Sequence, residues 1–277
     1  MPRSRMLKDR VFTLLVFTLA IVGIAPLFAI LSAIIINGFK TIISVGPSFL
    51  YGLPSSPLSS SPGGIGPALV GSLVIMFLSM MIGYPLAFMA AVLAVEYPRS
   101  IVGRAVDVLA KSLMEVPSIL IGILVYAFIV VPMGGFSAWA GSIAVSLVIL
   151  PYIYTHIETA LRNIPSELKL ASYSLGLSRA KTVFVVFTSE ARRGLLTAAL
   201  IGLARASGET APLLFTIGGN WFTYFQGLGK PIGAIPLLIY TYTLTPYPNY
   251  HEAAWGASLV LLTVYLCLFT LFRRLSG

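Results

Sequence analysis

The run from Val11 to Ile36 carries no charged side chain. A bilayer core about 30 Å thick takes roughly 20 helical residues to cross. Inside it every backbone N–H and C=O must find a partner within the protein, which leaves helices or closed barrels. A run this long exceeds any barrel strand, so it reads as a helix. Five more apolar runs follow: Pro67–Val95, Val116–Pro132, Ser137–Thr155, Gly194–Ile217 and Ala253–Phe272. The chain is 57% hydrophobic and only 10% charged, against roughly 25% charged for an ordinary soluble domain. The expectation is an all-α membrane protein with six transmembrane helices. The first run lacks a small-residue cleavage site and reads as a retained span. Gly66-Pro67 opens the second, with Pro in the tolerated first turn. The third closes at Pro132 before Gly134-Gly135, and Pro151 is expected to interrupt the fourth.

Lys and Arg orient these spans. With the N-terminus in the cytoplasm, the inner segments hold Arg3, Arg5, Lys8 and Arg10, then Arg99, Arg104 and Lys111. They continue with Arg162, Lys169, Arg179, Lys181, Arg192 and Arg193, and end with Arg273 and Arg274. The outer segments hold only Lys40 and Lys230. This bias puts both termini in the cytoplasm. It also explains the net charge of +9 as a topology signal, with no basic face for nucleic acid. Of the two long outer segments, Asn37–Gly66 is rich in Ser, Pro and Gly and reads as irregular loop. Gly218–Tyr250 carries interfacial aromatics, and its stretch Ile232–Tyr240 is too short to span.

The one remaining Lys or Arg of the eighteen is Arg205, and it lies with Glu209 inside the fifth run. A charge at that depth costs roughly 2.5–3.5 kcal/mol on insertion scales and usually marks a pathway. On a continuous helix the two would share a face, although Arg before Glu opposes the helix dipole. Gly202, Ala204, Ala206, Ser207 and Gly208 around them are small enough to let a solute or a helix approach. A guanidinium offers forked donors to a phosphate-like oxyanion. A structural ion pair is the competing reading.

The longest inner segment, His156–Arg193, has helical spacing at Leu168, Ala171, Ser172 and Leu175. Pro165-Ser166 starts a helix with Ser166 as its cap, and Gly176 falls just past its end. Ser178 caps a second helix running through Thr188. The pair forms a knob projecting from the membrane, with small Ala171 and Ser172 open to a partner groove. A helix lying on the membrane surface is the alternative. Lys111 is spaced to pair with Asp107 and Glu115 on one inner face.

Ala171-Ser172 followed by Gly176 resembles the EAA-type coupling loop of ATP-binding-cassette importer permeases. The stretches GGIGPALVGSL (63–73), AVLAVEYP (91–98), VPSILIG (116–122) and LPYIYTHIETALRNIPSELKLASYSLGLSRAKT around the loop resemble the phosphate-importer permeases. RASGETAPLLFT (205–216) is similar to the PstA type rather than its PstC-type partner. The resemblance implies a type I importer permease fold. Residues 1–62 would be an N-terminal helix and external loop, and 63–277 a permease core with its coupling loop at 156–193. It implies phosphate translocation at Arg205 and Glu209, with Thr210 beside them. ATPase coupling would fall to Glu167, Leu170, Ala171, Ser172 and Gly176. It further implies a heterodimer with a PstC-type subunit, cytoplasmic ATPase subunits and an external phosphate-binding protein. Two departures stand out: Leu170 replaces the Glu of the motif, and Thr188-Ser189 replaces its closing Leu-Pro. Glu167, one turn earlier, is the residue placed to compensate for the first.

The sequence has no phosphate-binding Walker loop, since Gly229-Lys230 is followed by Pro231 and the glycine spacing fails. His156 and His251 are isolated, Cys267 is the single cysteine, and no Ser-His-Asp pattern is present. The expectation is a transport subunit, not an enzyme, with no metal and no cofactor. Other oxyanions such as sulfate or molybdate remain alternative substrates. An ion-coupled carrier is disfavoured, because a proton relay needs a chain of intramembrane acids.

Overall fold

The computed structural model describes residues 3–276, with side-chain surroundings defined except at 3–7, 271–273 and 275–276. Arg3, Arg5 and Arg273 of the charge count lie outside those described side chains. The architecture is all-helical. Among the described residues, four helices are long and apolar enough to cross a membrane: Lys8–Val45, Gly66–Glu96, Ala138–Arg162 and Pro248–Thr270. A fifth crossing exists if Ile101–Glu115 and Ser118–Met133, bent by 106° to each other, count as one broken span.

Helix α1 (Arg3–Val45) outruns the charge-free stretch at both ends and stops at Gly46, which has φ 76°. Its apolar side chains are exposed over most of its length, as suits a helix facing lipid. It meets the rest of the chain near its C-terminal end. A Cβ on Gly38 would stand 2.6 Å from Leu259 Cβ, and Thr41 donates to the Glu252 carbonyl at 3.0 Å. The loop expected from Asn37 therefore begins only beyond Val45. It includes a single turn at Ser48–Tyr51.

Helix α2 (Gly66–Glu96) opens with Pro in its first turn. After the amphipathic α3 (Ile101–Ser112) and the bend comes α4 (Ser118–Met133), which contains a π-turn at Tyr126–Val130 and ends at Gly134 in the left-handed region. Helix α5 (Ala138–Arg162) is the central element, buried at intervals from Ala138 to Leu161. Pro151 does not interrupt it. Neighbouring helices enclose Pro151 and hold the helix together, as transmembrane packing allows. Ile75, Ala87, Ala91, Ile149, Ile153 and Ile157 from α2 and α5 make the main core.

Near the C-terminal end of α5, Lys111 pairs with Asp107 (2.6 Å) and with Glu158 (3.1 Å), and Glu158 also holds Arg162 (2.8 Å). Tyr154 donates to Asp107 at 2.7 Å. Glu115 forms no ion pair among the described residues. Helix α3 has ended at Ser112, so Glu115 no longer shares the Lys111 face.

The knob is made of α6 (Ser166–Ser174) and α7 (residues 179–190), and past it lie α8 (Arg192–Gly208) and the short α9 (Ala211–Leu214). The segment following α9 caps the start of α5, with Ala138 and Trp139 donating to the carbonyls of Lys230 and Leu228. The stretch too short to span forms α10 (Ile235–Thr243). It packs inward through Ile235, Leu237 and Leu238, with Tyr242 stacked on Tyr250 at 4.2 Å. Helix α11 (Pro248–Ser276) closes the bundle.

Candidate functional site

The fifth apolar run is not one helix. Helix α8 stops at Gly208, Glu209 is extended (φ −70°, ψ 126°), and α9 begins only at Ala211. Pro212 gives the physical reason. A continuous helix would need its N–H to donate to the Gly208 carbonyl, and Pro has none. Gly208 beside it favours the break, being the residue with least to gain from a helix.

The break changes how the two charges meet. Arg205 Nε lies 2.9 Å from Glu209 Oε1, as the spacing suggested, but only Arg205 is helical. It sits in the last turn of α8, where a cation complements the unpaired carbonyls. The unfavourable order of the pair therefore does not apply. Arg205 Cζ also stands 5.0 Å from the centre of the Tyr152 ring on α5, a cation–π distance. The Glu209 side chain is 6% exposed and that of Arg205 is 44% exposed. The carboxylate is thus sunk behind the guanidinium, which presents an open face. Thr210 is half-buried and caps α9 with its carbonyl, accepting from Leu213 at 3.1 Å.

Behind Glu209 is a crevice of about 20 Å³, lined by residues including Ser72, Ile75, Met76, Leu213 and Val264. That is room for about one water, and a tetrahedral oxyanion does not fit. Gly202 sets the closeness of packing here. A Cβ on it would stand 2.6 Å from Ile153 Cδ1 and 2.9 Å from Met80 Sδ.

The knob takes the expected form. Pro165, not Ser166, occupies the start of α6, and no side chain caps it. At the far end Gly176 (φ 78°) donates to Tyr173 O, and Leu177 donates to Ser172 O at 3.1 Å. These two bonds make a Schellman ending, which requires the left-handed residue. Ser178 caps α7, accepting from the Lys181 N–H. Glu167, Leu170, Ala171 and Gly176 are exposed, Leu170 at 65%. Ser172 is buried and donates to Leu168 O at 2.7 Å. Ala171 and Ser172 therefore do not share the outer face as expected.

Sequence reasoning missed Tyr152. Its signal was its place beside Pro151 in PYIY, but no spacing rule links it to a residue on another helix. Leu175, placed by its spacing on the same helix as Leu168, is 82% exposed at the tip of the knob. His156 and His251 each lie against a backbone carbonyl (2.9 and 2.7 Å). No group of side chains able to hold a metal occurs among the described residues.

These features define a helical membrane transport subunit with a charged break at mid-bundle and a knob at one end. Residues 83–276 match the family of binding-protein-dependent transport system inner membrane components, and the chain belongs to that family. The probable phosphate transport system permease protein PstA of Methanocaldococcus jannaschii is 44% identical over 97% of this chain and 94% of its own. The phosphate transport system permease protein PstA of Pasteurella multocida is 33% identical over 98% and 95%. The PstA of Yersinia pestis is 31% identical over 96% and 89%. The fold is that of a solved chain of the MetNI methionine ABC transporter in an inward-facing conformation. That chain has a TM-score of 0.58 and 22% identity, over 77% of this chain and 93% of the other.

Proposed function

We infer that this chain is the membrane-spanning permease subunit of an ATP-driven importer of inorganic phosphate. The observation that carries this is Arg205, fixed between the Glu209 carboxylate and the Tyr152 ring at a helix break, with its guanidinium half exposed. A forked donor held in this way suits a tetrahedral oxyanion. In a medium of low dielectric its attraction exceeds that in water. Phosphate permeases similar over nearly the whole chain support the choice of anion.

The chain crosses the membrane six times with both termini in the cytoplasm. The bent pair Ile101–Met133 is the third crossing, and α8 with its break and α9 is the fifth. The crevice behind Glu209 is too small for the anion, while Arg205 opens outward from the bundle. The path therefore runs between this chain and a second permease half of PstC type. Cytoplasmic ATPase subunits dock on the knob through Glu167, Leu170, Ala171 and the Gly176 turn. Ser172 acts from within, holding α6 together. An external phosphate-binding protein delivers the anion. ATP-driven closure moves the knob and exposes the Arg205–Glu209–Thr210 break to each side in turn.

Sulfate or molybdate would meet the same donors. Uptake of labelled phosphate into vesicles holding the full importer, with and without this chain and with and without ATP, tests the reading. Dependence on both supports it, and competition by sulfate or molybdate in the same vesicles measures selectivity. Uptake that needs no ATP would make the chain a carrier. An assembled, ATP-hydrolysing complex that moves only sulfate or molybdate would keep the fold and change the substrate.

A further inference from the structure

Both helices of the knob are tied to the end of α2, at its last residue Glu96 and at Tyr97 just past it. Lys169 of α6 reaches Glu96, 73 positions earlier in the chain, with Nζ 2.6 Å from Oε1. The Glu96 side chain is 7% exposed. The Lys169 ammonium also lies 5.9 Å from the Phe187 ring centre on α7. The next residue, Tyr97, receives Arg179 at the start of α7, with Cζ 5.8 Å from the ring centre. One contact lies on each side of the Gly176 turn, so the knob is held at both of its halves.

Further along, α2 runs against α8. The Tyr84 hydroxyl donates to Leu195 O at 3.0 Å. Met80 lies against Gly202, and Ser72, Ile75 and Met76 wall the crevice behind Glu209. A single helix therefore touches the knob at one end and the charged break in its outer half. Close-packed helices move as units rather than deforming continuously.

We propose that α2 is the coupling rod of this permease, and that Glu96–Lys169, with Tyr97–Arg179 beside it, is the fastening through which knob movement reaches Arg205. This rests on the reading of the knob as the ATPase docking element. Glu96 and Lys169 are positioning residues and touch no substrate. Without Lys169, Glu96 is a buried charge lacking its partner. Without Glu96, α6 can shift on the ATPase without dragging α2.

The test uses the reconstituted importer with its ATPase and binding protein, measuring ATP hydrolysed and labelled phosphate taken up per complex. In Glu96→Gln and in Lys169→Met the ATPase stays bound and active, while uptake falls ~10-fold, a typical coupling factor. ATP consumed per phosphate rises by the same factor. The exchanged pair, Glu96→Lys with Lys169→Glu, recovers most of the uptake, which a loss of packing alone would not allow. An unchanged ratio in both single variants overturns the proposal, as does an exchanged pair that couples no better than the singles. If the single variants fail to assemble, Tyr97→Leu loosens the second contact without baring a buried charge. A raised ratio there supports the proposal and an unchanged one overturns it. Ala171→Trp, on the exposed face of α6, separates ATPase docking from coupling through α2. An ATPase that co-purifies undiminished with Ala171→Trp removes the docking reading and the rod with it. Loss of the ATPase there, beside a normal ratio in Glu96→Gln, removes the rod alone.

Discussion

Arg205 and Glu209 form one ion pair, yet their replacement should differ sharply in effect. The Glu209 side chain is 6% exposed and that of Arg205 is 44% exposed. Arg205→Gln strands a carboxylate among Ile75, Met76 and Leu213. Breaking a buried pair from one side costs on the order of 3–5 kcal/mol. Glu209→Gln instead removes the buried charge and leaves a half-exposed guanidinium still resting on Tyr152. Pairs with an exposed member contribute about 1 kcal/mol or less. At roughly 2–4 °C per kcal/mol for a chain of this size, Arg205→Gln should lower the melting temperature of the solubilised complex by on the order of 10 °C. Glu209→Gln should lower it by roughly 3 °C on the same scale. Thermal denaturation of both variants in one detergent checks this. Equal losses, or a larger loss for Glu209→Gln, would refute the assignment of Glu209 as the buried partner.

Gly71→Ala would place a Cβ 1.9 Å from the Gly233 carbonyl oxygen. That backbone atom cannot swing aside, so a loss of about 3 kcal/mol or more, at the top of the overpacking range, should appear in the same melting assay. Gly176→Ala meets no neighbour within 4 Å. It is strained only by its φ of 78°, which costs about 1–2 kcal/mol. Hydrogen exchange at the Leu177 amide, which donates to Ser172 O, should speed up roughly tenfold for that energy. Tyr152→Leu should weaken uptake several-fold through the loss of about 0.5–2 kcal/mol of cation–π attraction. Tyr152→Phe should stay near wild type, and the comparison is read by labelled phosphate uptake.

Much of this was legible in the sequence because long apolar runs and helix punctuation are local signals. Gly134, Gly176 and Ser178 stand where the turn chemistry placed them, and the Arg205–Glu209 contact follows from their spacing. The misplaced boundaries have a common cause. Pro151 was expected to interrupt a helix that neighbouring helices in fact hold together. Pro212, with the same missing N–H, does end one, because Gly208 precedes it and only a short turn follows. The partners of Lys111, Lys169 and Arg205 include Glu158, Glu96 and Tyr152, each on another helix. No periodicity in one chain reports such pairings. The burial of Ser172 beside an exposed Ala171 depends on how α6 is rolled against the bundle, which no spacing within α6 reports.

On the proposed function, Arg205 is there to carry the anion and not to hold the bundle. The double variant Arg205→Gln with Glu209→Gln separates these roles, because no unpaired buried charge remains to unfold the chain. ATP-driven uptake of labelled phosphate per assembled complex is the measurement. If Arg205 carries the anion, uptake falls about a hundredfold or more, the scale of a charge-assisted contact of about 3 kcal/mol, in complexes that assemble and hydrolyse ATP. Uptake near the wild-type level would contradict it and make the pair a structural tie.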